Sequence, residues 1–362
     1  MKQDIKALTG IRFFAAFYVF LFHLDARVPL NFLPWQAHNI VKQGALGVNL
    51  FFILSGFLLA YSHFKDYPAA EIRDTRFTLQ FLFKRFARIY PVYLVTLLLS
   101  AGVGIWLHTL PSPLVLGANV LFLQTYYPPV AMDWFGGGGW SIANEIYFYL
   151  FFPLLLPCLL RIQRRNNLLL LLGVCAILGF VPGAAYNLLP HIPFTFQYAF
   201  PLCRLAEFTA GIITSILVFR FQWRVPSLTA LAAIGIAGVY LIYLGPNPRL
   251  QGYVVHNWLM IPVITLTLAA VSKQEAGIAL SWLGKEPWVY LGKISYCFYM
   301  IQIPLSLAVE PLLETGILNP GSKWRGLAWF AFSIIGGAAL HHGIEVPLHR
   351  YLMSQKNALI PA

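Results

Sequence analysis

Residues Leu8–Leu24 read LTGIRFFAAFYVFLFHL. The segment is apolar enough to enter a bilayer, yet it carries Arg12 and His23. Their spacing is three helical turns plus roughly 20°, so a helix presents both side chains on one face, ~16 Å apart along its axis. A charged side chain at the bilayer centre costs about 2.5 kcal/mol or more, and such residues face a polar interior with a task to perform. The stretch therefore predicts a retained first span with a guanidinium near one membrane face and an imidazole farther along. Arg12 interrupts the apolar run and no small-residue cleavage site follows His23, which argues against a secretory signal.

The rest of the chain agrees with a membrane setting. It has 362 residues, 59% hydrophobic and only 10% charged, where a soluble protein carries about 25% charged residues. Apolar runs recur at roughly 8–25, 47–62, 89–107, 140–160, 168–185, 201–219, 226–244, 257–272, 288–308 and 326–345. The fold class expected is all-α: a polytopic membrane protein with about ten transmembrane helices around a central polar cavity. The net charge of +12 is concentrated at the ends of alternate spans. With the N-terminus inside, 18 of the 25 Lys and Arg residues fall in inner segments and 5 in outer ones, with Arg12 and Arg204 in the membrane. That bias places both termini in the cytoplasm and argues against a nucleic-acid partner. Cys158, Cys175, Cys203 and Cys297 stand singly in apolar runs, with no metal spacing and no disulfide framework. No repeat of fixed period and no appended soluble domain is visible, so residues 1–362 read as one membrane domain. The longest outer segment, 108–139, contains an apolar piece at 114–124 that suits a short interfacial or re-entrant helix.

Five polar constellations stand out. His23 carries the side chain that takes and returns a proton near neutral pH; the bland alternative is an interfacial His held for structure. In Trp140–Pro153, WSIANEIYFYLFFP, the residues Ser141, Glu145 and Tyr149 follow i, i+4, i+8 and share a face. Glu145 sits late for a helix cap and could orient or charge-balance an imidazole. In Lys84–Tyr93, KRFARIYPVY, Arg85 and Arg88 share a face at the inner end of the third span, with Pro91 marking a helix start or a kink. Paired guanidinium groups suit phosphates, although topology and lipid headgroups also account for them. Arg204 and Glu207 form an i, i+3 pair that either neutralises itself structurally or meets a substrate. The cluster His341, His342, Glu345 and His349 lacks the order of a zinc helix, so no metal is expected.

Taken together and in order, these segments resemble acyltransferase family 3, the multi-span O-acyltransferases of bacterial envelope and exported polysaccharides. The resemblance rests on TGIRFFAAFYVFLFH, on GVNLFFILSGFLL at Gly47–Leu59 with Ser55, on RFAR, on WSIANEIYFYLFFP, on RLAEFTAG, on LGKISYCFYMIQIPL with Tyr296, and on the closing EVP. Many members carry a His where this chain has Gln302. The resemblance implies a stand-alone enzyme of the bacterial inner (cytoplasmic) membrane. It would move an acyl group, acetyl by expectation, from cytoplasmic acetyl-CoA to a hydroxyl of a surface or exported polysaccharide or its lipid-linked precursor. The implied roles are His23 as general base, Glu145 as its partner and Arg12 on the thioester path. Arg85, Arg88, Lys84 and Ser55 fall to coenzyme A, and Trp140, Ser141, Arg204, Glu207 and Tyr296 to the acceptor side. The partners are then acyl-CoA, a glycan and membrane lipids, in a monomer or homodimer. Direct transfer and an acyl-histidine both remain open. A proton-coupled transporter of a lipid-linked sugar or organic anion is the reading from another class; the absence of two similar halves counts against it.

Overall fold

The computed structural model describes residues 5–63, 75–189, 191–245, 256–272, 278–314 and 324–359, and the protein is predominantly helical over them. The helices are α1 (Lys6–Arg27), α2 (Trp35–Val41), α3 (Gly47–His63), α4 (Thr75–Trp106), α5 (Pro113–Val120), α6 (Gly136–Leu160), α7 (Arg165–Leu188), α8 (Phe194–Ala199), α9 (Pro201–Phe219), α10 (Ser227–Tyr243), α11 (Asn257–Ser272), α12 (Ile278–Ser281), α13 (Glu286–Glu314), α14 (Trp324–Leu340) and α15 (Val346–Leu359). A π-helical turn, His341–Glu345, joins α14 to α15 without a break.

Each apolar run of the sequence has a helix. Seven segments among the described residues are long and apolar enough to cross a bilayer: Lys6–Arg27, Gly44–His63, Thr75–Trp106, Gly138–Leu160, Arg165–Leu188, Phe194–Phe219 and Arg325–Lys356. This is a multi-pass membrane protein. The helices α10 and α11 are apolar but shorter, and α13 turns Lys293, Tyr296 and Tyr299 inward. Of the basic residues behind the orientation reading, Lys2, Lys65, Arg73, Arg249, Lys273 and Lys323 lie outside the described residues.

Three details of the helices matter for the site. The helix expected at 89–107 begins at Thr75 and runs through Pro91, which is buried inside it. Arg85 and Arg88 therefore sit well within a helix and not at its start. The outer segment does contain a short helix, α5, capped by Ser112, whose side chain accepts from the Val115 amide. It is pinned to α4 where the Tyr93 hydroxyl donates to the Asn119 carbonyl at 2.7 Å. The four glycines 136–139 form the first turn of α6.

Small residues set the closest helix approaches. The crossing of α3 and α9 is reciprocal: a Cβ on Gly56 would collide with the Phe208 carbonyl, and one on Gly211 with the Ile53 carbonyl. Gly292 of α13 likewise meets the Thr9 carbonyl of α1. In a membrane, where apolar side chains gain little by leaving lipid, such backbone proximity is a main source of helix association. One face of α1 then buries Ala16, Phe20 and Leu24 against Phe298 and Trp329, which fixes the rotation of the helix. Arg12 and His23 are thereby turned toward the interior.

Candidate active site

Helices α1, α3, α4, α6, α13 and the α14–α15 junction enclose a cavity of about 840 Å³, within the range of ligand sites. Each helix contributes at its own period: Arg12 from α1, Ser55 from α3, Lys84, Arg85 and Arg88 from α4, Ser141, Glu145 and Tyr149 from α6, Lys293, Tyr296 and Tyr299 from α13, and His341, Glu345 and Arg350 from the last helix. The mouth is marked by Lys6 and Glu286, both exposed and 3.0 Å apart. Seven basic and three acidic side chains line the space.

The cations are the distinguishing feature. Among the described residues, no carboxylate lies in ion-pair contact with Arg12, Arg85 or Arg88. Arg12 lies in electrostatic range of Glu145, Glu345, Tyr149 and the like-charged Arg88. The Arg85 guanidinium sits over the Phe81 ring at 5.5 Å, with its Nε lacking a partner. Three guanidinium groups in one cavity without carboxylates in contact have the chemistry that suits an anionic group.

The acid of α6 is already committed. Ser55 Oγ donates to Glu145 Oε1 at 3.0 Å, and the Tyr149 hydroxyl donates to the same oxygen. Glu145 thus belongs with Arg12 and the cavity. The expectation that it orients His23 is not met, because His23 lies elsewhere. Tyr296 lines the cavity and donates to the Ile89 carbonyl at 2.8 Å. At the π-turn, His341 Nδ1 donates to Glu345 Oε2 at 2.6 Å and Cys297 Sγ to the same oxygen at 3.2 Å. These three groups are close enough to hold a metal ion, but the charges of Arg12 and Arg88 act on the same cluster and oppose a cation.

His23 lines a second, much smaller cavity of about 20 Å³, room for about one water, together with Phe22, Met132, Trp140, Tyr198 and Tyr299. Val48 and Tyr299 border both cavities and form the wall between them. The Tyr299 hydroxyl is fixed at that wall, donating to the Gly138 carbonyl at 2.8 Å and lying 3.0 Å from Ser141 Oγ. His23 Nδ1 meets Gln302 Oε1 at 3.4 Å.

Residues 5–341 match the family described as the acyltransferase domain. The chain belongs to acyltransferase family 3. As a member of that family it is similar to "Acyltransferase MdmB" of Streptomyces mycarofaciens, 28% identical over 96% of this chain and 92% of the relative. It is also similar to "O-acetyltransferase OatA" of Staphylococcus aureus, 23% identical over 86% of this chain and 52% of the relative, so that it spans about half of OatA's length. "Nose resistant to fluoxetine protein 6" of Caenorhabditis elegans is 23% identical over 86% of this chain and 46% of the relative. No solved structure matches the chain.

Within this family-3 chain, the structure gathers Arg12, Ser55, Lys84, Arg85, Arg88, Ser141, Glu145 and Tyr296 at one cavity, and His23 with Trp140 at the other. Arg204 and Glu207 line neither. They are 0% and 1% exposed and 3.2 Å apart. Asn49 ties them together, accepting from Arg204 Nη2 at 3.2 Å and donating to Glu207 Oε1 at 3.1 Å. The guanidinium is boxed by the rings of Phe52, Trp140 and Tyr198. This network braces α9 against α3 behind the small cavity. Sequence reasoning missed Tyr299 and Lys293; the spacing Val289, Lys293, Tyr296, Tyr299, Gln302 marks one face of α13 and could have revealed both.

Proposed function

We propose that this protein is an O-acyltransferase of the bacterial cytoplasmic membrane, transferring an acyl group, acetyl by expectation, from acyl-CoA to a sugar hydroxyl of a surface or exported glycan. The observation that carries the reading is the set of guanidinium groups, Arg12, Arg85 and Arg88, lining a cavity without close counter-ions. Coenzyme A brings several phosphate charges at one end and a thin thioester-bearing arm at the other. Such a molecule would leave its phosphates with Arg85, Arg88 and Lys84 and extend the arm toward Tyr299. The basic mouth suits the cytoplasmic side, where acyl-CoA is made, with both termini on that side.

The reaction then follows the wall between the cavities. The acceptor hydroxyl reaches His23 from the small cavity and gives its proton to the imidazole. Its oxygen attacks the thioester carbonyl; the new C–O bond forms, the C–S bond breaks, and the departing thiolate recovers the proton from His23. Arg12, in electrostatic range of Glu145 and Glu345, holds the donor from the large cavity. Tyr299 must swing aside for the two substrates to meet. The names of the relatives support acyl transfer, with OatA named for acetyl transfer to oxygen; the donor and the acceptor are our assignment.

The test is direct. Purified protein is mixed with acetyl-labelled acetyl-CoA, with and without an envelope polysaccharide fraction or simple methyl glycosides. Acceptor-dependent release of CoA with label on the sugar is expected, and its loss in His23→Ala. Substrate movement across vesicles without any acyl transfer would instead favour a carrier.

A further inference from the structure

Beside His23 lies one feature that the reaction above does not use: the amide of Gln302. This side chain is 2% exposed and makes two contacts. Its Nε2 donates to the Phe298 carbonyl one turn earlier at 3.1 Å. Its Oε1 faces His23 Nδ1 at 3.4 Å. The first contact decides the second. A backbone carbonyl only accepts, so the NH₂ end of the amide is committed to Phe298, and the end turned to His23 is the oxygen. An oxygen acceptor requires a hydrogen on Nδ1. In the neutral imidazole the lone pair then stands on Nε2.

We propose that Gln302 is a positioning residue that fixes His23 as the Nδ1–H tautomer and so presents Nε2 as the base toward the acceptor pocket. The inference rests on the reading of His23 as the general base. It assigns to a neutral amide the orienting task that the sequence pattern suggests for Glu145, whose carboxylate is held instead by Ser55 and Tyr149 in the other cavity. Of the other side chains that line the small cavity, Val19, Phe22, Ala45 and Val48 are apolar, Trp140 can only donate and Met132 offers only a weakly accepting sulfur, while the Tyr299 hydroxyl is turned to Gly138. An amide also fixes the tautomer without adding charge beside a membrane-embedded ring.

The experiment uses the full chain labelled with ¹⁵N-histidine, with His23→Gln assigning the His23 signals, together with acetyl-CoA turnover on a methyl glycoside. Wild-type protein should show neutral His23 protonated on Nδ1. Gln302→Met, close in volume but with only a weakly accepting sulfur in place of the amide oxygen, should lose that preference. Its kcat should fall roughly 100-fold with KM for acetyl-CoA unchanged. Gln302→Glu keeps an oxygen acceptor and should restore the Nδ1–H form and most of the rate. Retention of the Nδ1–H tautomer with wild-type turnover in Gln302→Met would overturn the proposal. So would a raised KM for acetyl-CoA at unchanged kcat, or failure of Gln302→Glu to restore either readout. Full turnover in His23→Gln would instead remove the imidazole from the chemistry while leaving the tautomer measurement intact, so the two failures are distinguishable.

Discussion

Ser55 on α3 and Glu145 on α6 meet at 3.0 Å inside the large cavity, hydroxyl to carboxylate. The contact joins two sequence segments ninety residues apart and sets where the negative charge stands relative to Arg12. Tyr149 donates to the same oxygen from one turn along α6.

The first prediction concerns that carboxylate. A hydrogen bond to a charged group is worth roughly 1.5–3 kcal/mol. Tyr149→Phe should therefore lower kcat/KM for acetyl-CoA by about tenfold or more, and Ser55→Ala by a similar factor. Because both bonds end on one oxygen, the double variant should lose less than the product of the two. Steady-state CoA release by the three purified variants measures this.

Arg85 and Arg88 should act on donor affinity. Replacing both with Ala is expected to weaken CoA binding by roughly 10–100-fold, and binding to the wild type should weaken with added salt. Calorimetric titration of CoA at two salt concentrations reads both effects; unchanged affinity would return the pair to a role in membrane orientation.

The wall between the cavities gives a third outcome. Tyr299→Ala removes the ring and hydroxyl that separate the donor space from the His23 pocket. Water should then reach the bound thioester, and acetyl-CoA hydrolysis without acceptor should rise several-fold while transfer to sugar falls. The two products are separable by label partition.

Arg204 should behave as a brace. Removing one partner of a buried ion pair costs roughly 3–5 kcal/mol, whereas replacing the whole pair by apolar groups of similar volume is far cheaper. Arg204→Met is expected to reduce the yield and thermal stability of inserted protein, and Arg204→Met combined with Glu207→Leu to recover part of the loss. Thermal unfolding in detergent, followed by intrinsic fluorescence, tests this.

Much of the architecture is written locally in the chain. Apolar runs mark helices because no bilayer-spanning backbone survives without internal hydrogen bonds, so the helix from Lys6 to Arg27 and the helix from Arg165 to Leu188 follow from composition. The shared face of Ser141, Glu145 and Tyr149 follows from helical period, and all three line the cavity. What was not legible is which faces meet. Arg204 and Glu207 have the same charge pattern as a ligand site, and only the arrival of Asn49 from α3 shows them tied to each other and to a neighbouring helix. The extension of α4 back to Thr75 was hidden because its first turns, TRFTLQFLFKRFAR, interleave apolar residues with Arg and Lys before the uninterrupted apolar run. Gln302 becomes a neighbour of His23 only through the packing of α1 on α13, a long-range relation that no spacing within either helix contains.

The partition built by Val48 and Tyr299 has a consequence for the cell. A passage open from end to end would let protons and small ions leak and would dissipate the gradient on which the membrane's energy supply depends. With the large cavity walled off from the water-sized chamber by these two side chains, the described residues would keep the membrane electrically tight between turnovers.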